Sequence, residues 1–147
     1  MPALVAQAAE LERAIFVSAD LRGSRFYRTN LTRADFDSAN LLRADFSRAN
    51  LAGVKLTGMD MTGANLAGAK LAGASLADAN LENANFTGAD LTGANLTRAD
   101  LSDAEAYDLL VAASLAPARL TLEEQRAVPR GVSPVPTAGR PPTPNPS

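Results

Sequence analysis

Ala34-Asp35-Phe36-Asp37-Ser38-Ala39-Asn40-Leu41-Leu42-Arg43-Ala44-Asp45-Phe46-Ser47-Arg48 is one five-residue pattern written three times. A small residue comes first, then Asp or Asn, then a large apolar residue, then two others. The register holds far beyond this stretch. Every fifth position from Leu11 to Leu101 is Leu, Phe or, at Met61, Met. The small position departs from Ala at Ser24, Thr29, Val54 and Met59. A period of five fits neither an amphipathic helix nor a simple half-buried strand. Within a unit, Ala34 and Phe36 lie two apart and share one side of a short extended segment, while Asp35 faces away. Asp37 and Ser38 must then turn the chain. Each unit is one short side and one corner, and a side that cannot bury its own apolar pair must wind and stack with its neighbours. The expected fold is an all-β solenoid.

Charges indicate the number of sides, because residues one turn apart become lateral neighbours about 4.8 Å apart. At a spacing of twenty, four pairs are opposite in sign (Arg25–Asp45, Asp35–Lys55, Lys70–Asp90, Asp78–Arg98) and two are alike. At fifteen, two are opposite and seven are alike. Phe16, Phe26, Phe36, Phe46 and Phe86 differ by multiples of ten, which puts them on two opposite sides of a four-sided coil. The unit Ala-(Asp/Asn)-(Leu/Phe)-x-x resembles that of the pentapeptide-repeat proteins, over Ala9 to Asp103. The resemblance implies a right-handed four-sided β-helix; the spacing itself implies only the square.

The organisation expected is a cap segment over 1–8, the β-helix over 9–103, a helical cap or dimer segment over 104–127, and a Pro-rich, disordered tail over 128–147. Pro2 to Ala8 could form one or two helical turns. Ser102-Asp103-Ala104-Glu105 reads as a capping box opening a helix from Ala104 to Ala116, with Pro117 ending it. Its apolar stripe, Tyr107, Leu110, Val111 and Leu115, suits a cap on the last coil. The resemblance adds a second role, because gyrase-protecting members of the family pair through C-terminal elements: a homodimer contact. Thr121-Leu122-Glu123-Glu124 is a second capping-box pattern, opening a short helix to about Ala127.

Composition excludes several chemistries. The 147 residues carry net charge −2, no Cys and no His. Thiolate sites, disulfides, and the commonest general base and metal ligand are therefore missing. No signal peptide or membrane span is readable, so a cytoplasmic location is expected, with neither membrane nor direct nucleic acid as a partner. Carboxylates sit singly at the outward position. In the column Asp20, Asn40, Asp60, Asn80, Asp100, Asn separates each Asp, which reads as avoidance of stacked charge rather than as a metal site. The corner glycines, such as Gly53 and Gly63, read as turn residues rather than a phosphate loop. No catalytic, cofactor-binding or metal-binding residue is expected.

The arginines are uneven. Seven basic residues face three acids between Leu21 and Lys55, against two basic residues and seven acids from Leu56 to Glu105. Arg25, Arg28, Arg43 and Arg48 form the candidate partner-binding basic patch, with Arg28 and Arg48 stacked at one corner. The reading is a non-enzymatic protein-binding or scaffolding module for a protein partner the sequence does not name. The alternative, implied by the resemblance, is a DNA mimic that protects or inhibits a type II topoisomerase such as DNA gyrase. A nearly neutral rod with a basic end is poorly charged for that task.

Overall fold

The computed structural model describes residues 3–105. Fifteen isolated parallel bridges join this stretch, each between residues twenty apart, from Val5↔Arg25 to Asn85↔Glu105. The coil has four sides. Counting from residue 4, successive twenty-residue coils cover 4–23, 24–43, 44–63, 64–83 and 84–103. The first side carries outward residues 5, 25, 45, 65, 85 and 105. The second side carries 10 to 90, the third 15 to 95, and the fourth 20 to 100.

Backbone hydrogen bonding explains the pattern of the repeat. The small residue closes the corner, as when Ala34 N–H donates to Leu31 O at 3.0 Å. The outward residue donates to the coil before it (Asn50 to Thr29 O, 2.9 Å), and the large residue donates to the coil after it (Leu31 to Asn50 O, 2.9 Å). The second corner residue also reaches the coil after it, as Arg43 N–H does to Thr62 O at 2.9 Å. One N–H per unit remains, on the first corner residue. The Asp or Asn two positions earlier accepts it, at 2.9 to 3.3 Å in thirteen units. The outward carboxamides and carboxylates are therefore occupied in holding the corner. Charge avoidance explains why Asn alternates with Asp; this bond explains why either is there.

The second corner residue is left-handed throughout, from Ala8 (φ 51°) through Arg33 (61°) to Asp103 (56°). That is the geometry for which Gly is suited, and Gly occupies it from Gly53 to Gly73. At Gly63 and Gly68 a side chain would also meet the stems of Arg43 and Arg48 at 3.2 Å.

The core is a column of alternating small and large side chains. Phe26, Phe36, Phe46 and Phe86 are fully buried. Rings in one column stack, Phe16 on Phe36 and Phe26 on Phe46, both with centroids 5.1 Å apart. The two columns meet edge to face across the axis, Phe36 with Phe46 at 6.0 Å. Two of the four exceptions at the small position tie the first coil down. Ser24 Oγ accepts the Leu4 N–H at 3.1 Å, and Thr29 Oγ1 donates to Ala6 O.

Both ends depart from expectation. Residues 4–8 are a side and corner of the solenoid rather than helical turns: Val5 bridges Arg25, and Ala8 N–H donates to Tyr27 O at 2.8 Å. Here the sizes are reversed, with Leu4 in the small slot, left exposed, and Ala6 in the large one, packed against the core. The capping box at Ser102 is likewise not formed. Asp103 is left-handed, Ala104 N–H closes a corner on Leu101 O at 3.1 Å, and Glu105 bridges Asn85. Ser102 gives its N–H and hydroxyl to Asp100 instead. The helix expected from Ala104, its stripe of Tyr107, Leu110, Val111 and Leu115, the second capping box and the Pro-rich tail lie outside the described residues.

Of the four charge pairs, Asp78–Arg98 is a two-point ion pair at 2.6 and 2.8 Å. Arg25 and Asp45, like Lys70 and Asp90, are bridged neighbours without an ion pair within 4.0 Å among the described residues. Arg22 forms an unforeseen pair with Asp20 at 2.6 Å. Hydrogen bonds from Arg22 lower the Asp20 carboxyl from 3.8 to about 2. The hydrogen bond from Arg98 lowers Asp78 as well. Because both folded values lie below the unfolded ones, their stabilisation is complete above the unfolded value and is lost as pH falls through the folded one. Acid melts should show Asp78→Asn losing its deficit relative to wild type as pH falls below the ordinary carboxylate range and through the lowered Asp78 value. A deficit that does not shrink as the pH is lowered would contradict the pairing.

Candidate functional site

The solenoid brings all four residues of the expected basic patch to its first side. Arg25 is the outward residue of coil 24–43. Arg28 and Arg48 project from the corner on one flank, and Arg43 from the corner on the other. Arg22 joins the same flank as Arg43. Five exposed arginines thus lie on or at the flanks of the side that carries one partly buried acid, Asp45. Asp45 is itself engaged by the N–H and hydroxyl of Ser47, at 3.0 and 2.6 Å. Arg28 lies over the Tyr27 ring, 5.9 Å from its centroid. Among the described residues, the guanidinium groups of Arg25, Arg43 and Arg48 form neither an ion pair nor a hydrogen bond. Further along this side come Asn65, Asn85 and Glu105, so the basic character ends with coil 44–63.

A second feature lies on the far side of the rod. Between coils 24–43 and 44–63, six hydrogen bonds of the ladder are not formed. The N–H groups of Arg33, Phe36, Ser38, Leu41, Lys55 and Asp60 have no partner there, although the equivalent groups are bonded in every other coil pair. The bridges Asp35↔Lys55 and Asn40↔Asp60 are absent with them. The first and second sides stay closed, through Phe26 N–H to Asp45 O (2.6 Å) and Leu31 N–H to Asn50 O (2.9 Å). The opening therefore spans the third and fourth sides alone. What distinguishes this junction is the small position: Val54 and Met59 stand beneath Ala34 and Ala39 on the two open sides, and added apolar volume there acts to spread the coils. A cleft of about 580 Å³ lies at the opening, lined by Val17, Arg33, Asp35, Asp37, Lys55, Thr57 and Met59 among others.

The described residues contain no cluster of three or more His, Cys, Asp or Glu able to hold a metal. They contain no helix long and apolar enough to cross a membrane. Sequence reasoning missed Arg22 as a member of the basic side, although its corner lies one coil before that of Arg43. The opening was visible only as two exceptions to the Ala rule.

A family profile described as pentapeptide repeats matches eight copies over residues 6–33, 29–68 and 64–103. The chain belongs to the pentapeptide-repeat family. Its fold is the family's right-handed four-sided β-helix. Rfr23, a pentapeptide-repeat protein from the cyanobacterium Cyanothece 51142, is 23% identical with TM-score 0.60, over 70% of this chain and 80% of its own. Full-length QnrB1, a plasmid-mediated fluoroquinolone resistance protein, is 22% identical with TM-score 0.55, over 80% of this chain and 62% of its own. At these identities the likeness establishes the fold. No curated protein sequence matches.

Proposed function

We propose that this chain is a non-enzymatic protein-binding module that takes an acidic surface of its partner on the first side of the rod. One observation carries the reading: five exposed arginines lie on or beside that side, while the two carboxylates near them are already engaged, Asp45 by Ser47 and Asp20 by Arg22. A pairing network would use such arginines up, yet Arg25, Arg43 and Arg48 have no ion pair among the described residues. Exposed guanidinium groups are preorganised to bind carboxylates through two hydrogen bonds, and charge complementarity speeds and orients association. The rigid coil fixes the spacing between them.

Imitation of B-DNA toward a type II topoisomerase has weaker support. It asks for an acidic surface, and the best-defined charged side of this rod is basic. The test is charge reversal: Arg25→Glu, Arg43→Glu and Arg48→Glu together, in the full chain used as bait in native extract. The captured protein should be lost from the variant and released from wild type by raising salt. Capture that survives the reversal would overturn the reading, as would loss of the captured protein on nuclease treatment. Melting curves of the variant must match wild type.

A further inference from the structure

Among the described residues, the N-terminal end of the rod is a sheet edge without a partner, and it complements itself under two-fold rotation. In each later coil, the outward residue aims both backbone groups at the coil before it. Arg25, for example, donates to Leu4 O and accepts from Ala6 N–H, both at 2.8 Å. In the first coil, Val5, Glu10, Ile15 and Asp20 hold the same two groups out along the axis, with no partner among the described residues. Two residues so arranged can exchange both hydrogen bonds when their strands run antiparallel. A two-fold axis perpendicular to the rod sets every side of one end antiparallel to a side of the other.

The side chains select one such axis. The outward position is polar in every later coil, yet here it holds Val5, 60% exposed, and Ile15, 79% exposed. They lie on opposite sides, the first and the third. An axis through both sides places Val5 on Val5 of the second copy and Ile15 on Ile15, as apolar cross-strand pairs. Glu10 then faces Asp20, whose charge Arg22 already holds. The core agrees, since Leu11 and Phe16 are only partly buried while Leu31 and Phe36 beneath them are fully buried. A second copy completes their cover.

We infer that two chains dock N-terminal end to N-terminal end about this axis. The arrangement stands independently of the partner-binding reading, but it bears on it, because first side meets first side and the two arginine clusters lie along one face, on either side of the paired Val5 residues. The chain has no Cys, so a single introduced thiol reports position unambiguously. In the full chain, Val5→Cys and Ile15→Cys should each give an interchain disulfide with oxidised glutathione, whereas Asn95→Cys, on the third side of the far coil, should not. Sedimentation should show a wild-type dimer, and Ile15→Lys should weaken it at least about tenfold with the fold intact. A wild-type monomer at high concentration would overturn the proposal. So would a dimer indifferent to Ile15→Lys and dispersed by Leu110→Glu with Leu115→Glu, which would assign pairing to the C-terminal stripe. Protection of the Val5, Glu10, Ile15 and Asp20 amides in a monomer would assign the edge to residues beyond Glu105.

Discussion

Phe36→Asp should leave no folded protein at room temperature, while its neighbour Asp37→Ala should melt with wild type. Phe36 is fully buried, stacks on Phe16 and meets Phe26 and Phe46 edge to face. Truncating such a ring to Ala costs about 3–5 kcal/mol, and an unpaired carboxylate in a dry column adds several more. The sum matches or exceeds the 5–15 kcal/mol that holds a typical domain together. Asp37 lies at an exposed corner, and its ordered contacts are made by its backbone: its N–H donates to Asp35, and its carbonyl accepts from Ser18. A methyl group serves as well there. Urea melts followed by circular dichroism check both; equal losses would contradict the assignment of inward and outward positions.

Amide exchange should split the ladder in two. The N–H groups of Arg33, Phe36, Ser38, Leu41, Lys55 and Asp60 should exchange at least about a hundredfold faster than their equivalents one coil away, since local opening rather than global unfolding governs unbonded amides. Phe26 and Leu31, bonded to Asp45 and Asn50 at 2.6 and 2.9 Å, provide the comparison on the closed sides of the same junction. The proposed cause can be tested by the same measurement. Val54→Ala with Met59→Ala restores the small position, so the third and fourth sides should close and all six amides should slow. Fast exchange persisting in that double variant would show that the two large side chains are not what holds the coils apart.

How far the fold was legible follows from its redundancy. The inward pair of each unit recurs so often that individual exceptions could not disturb the register, and Arg25 beside Asp45 was placed correctly before any coordinate. Redundancy also hid what is particular to this chain. Ser24, Thr29, Val54 and Met59 looked alike as departures from Ala, yet the first two bind the coil before them and the last two open the ladder beneath it. Ser24 and Thr29 carry a hydroxyl that bonds the coil before them and Val54 and Met59 do not, and only the neighbouring coil shows that difference. The ends misled for another reason. Ser102 to Glu105 satisfies a helix-capping pattern locally, but Glu105 finds Asn85 one coil earlier, and the ladder prevails. Val5 and Ile15 escaped notice because exposure at an outward position is ordinary; it becomes informative once the two are seen on opposite sides of an open edge.

The arginine side is the part of the account on which function rests, and a photocrosslinking pair tests it most directly. A photoreactive residue at Leu42 stands at the corner beside Arg43. One at Ala72 stands at the diagonally opposite corner, away from the basic side. With the full chain in its native cell, the account expects a discrete protein adduct from position 42, suppressed by the Arg25, Arg43 and Arg48 reversal, and none from position 72. The same adduct from position 72, or an adduct at 42 that survives the reversal, would contradict it.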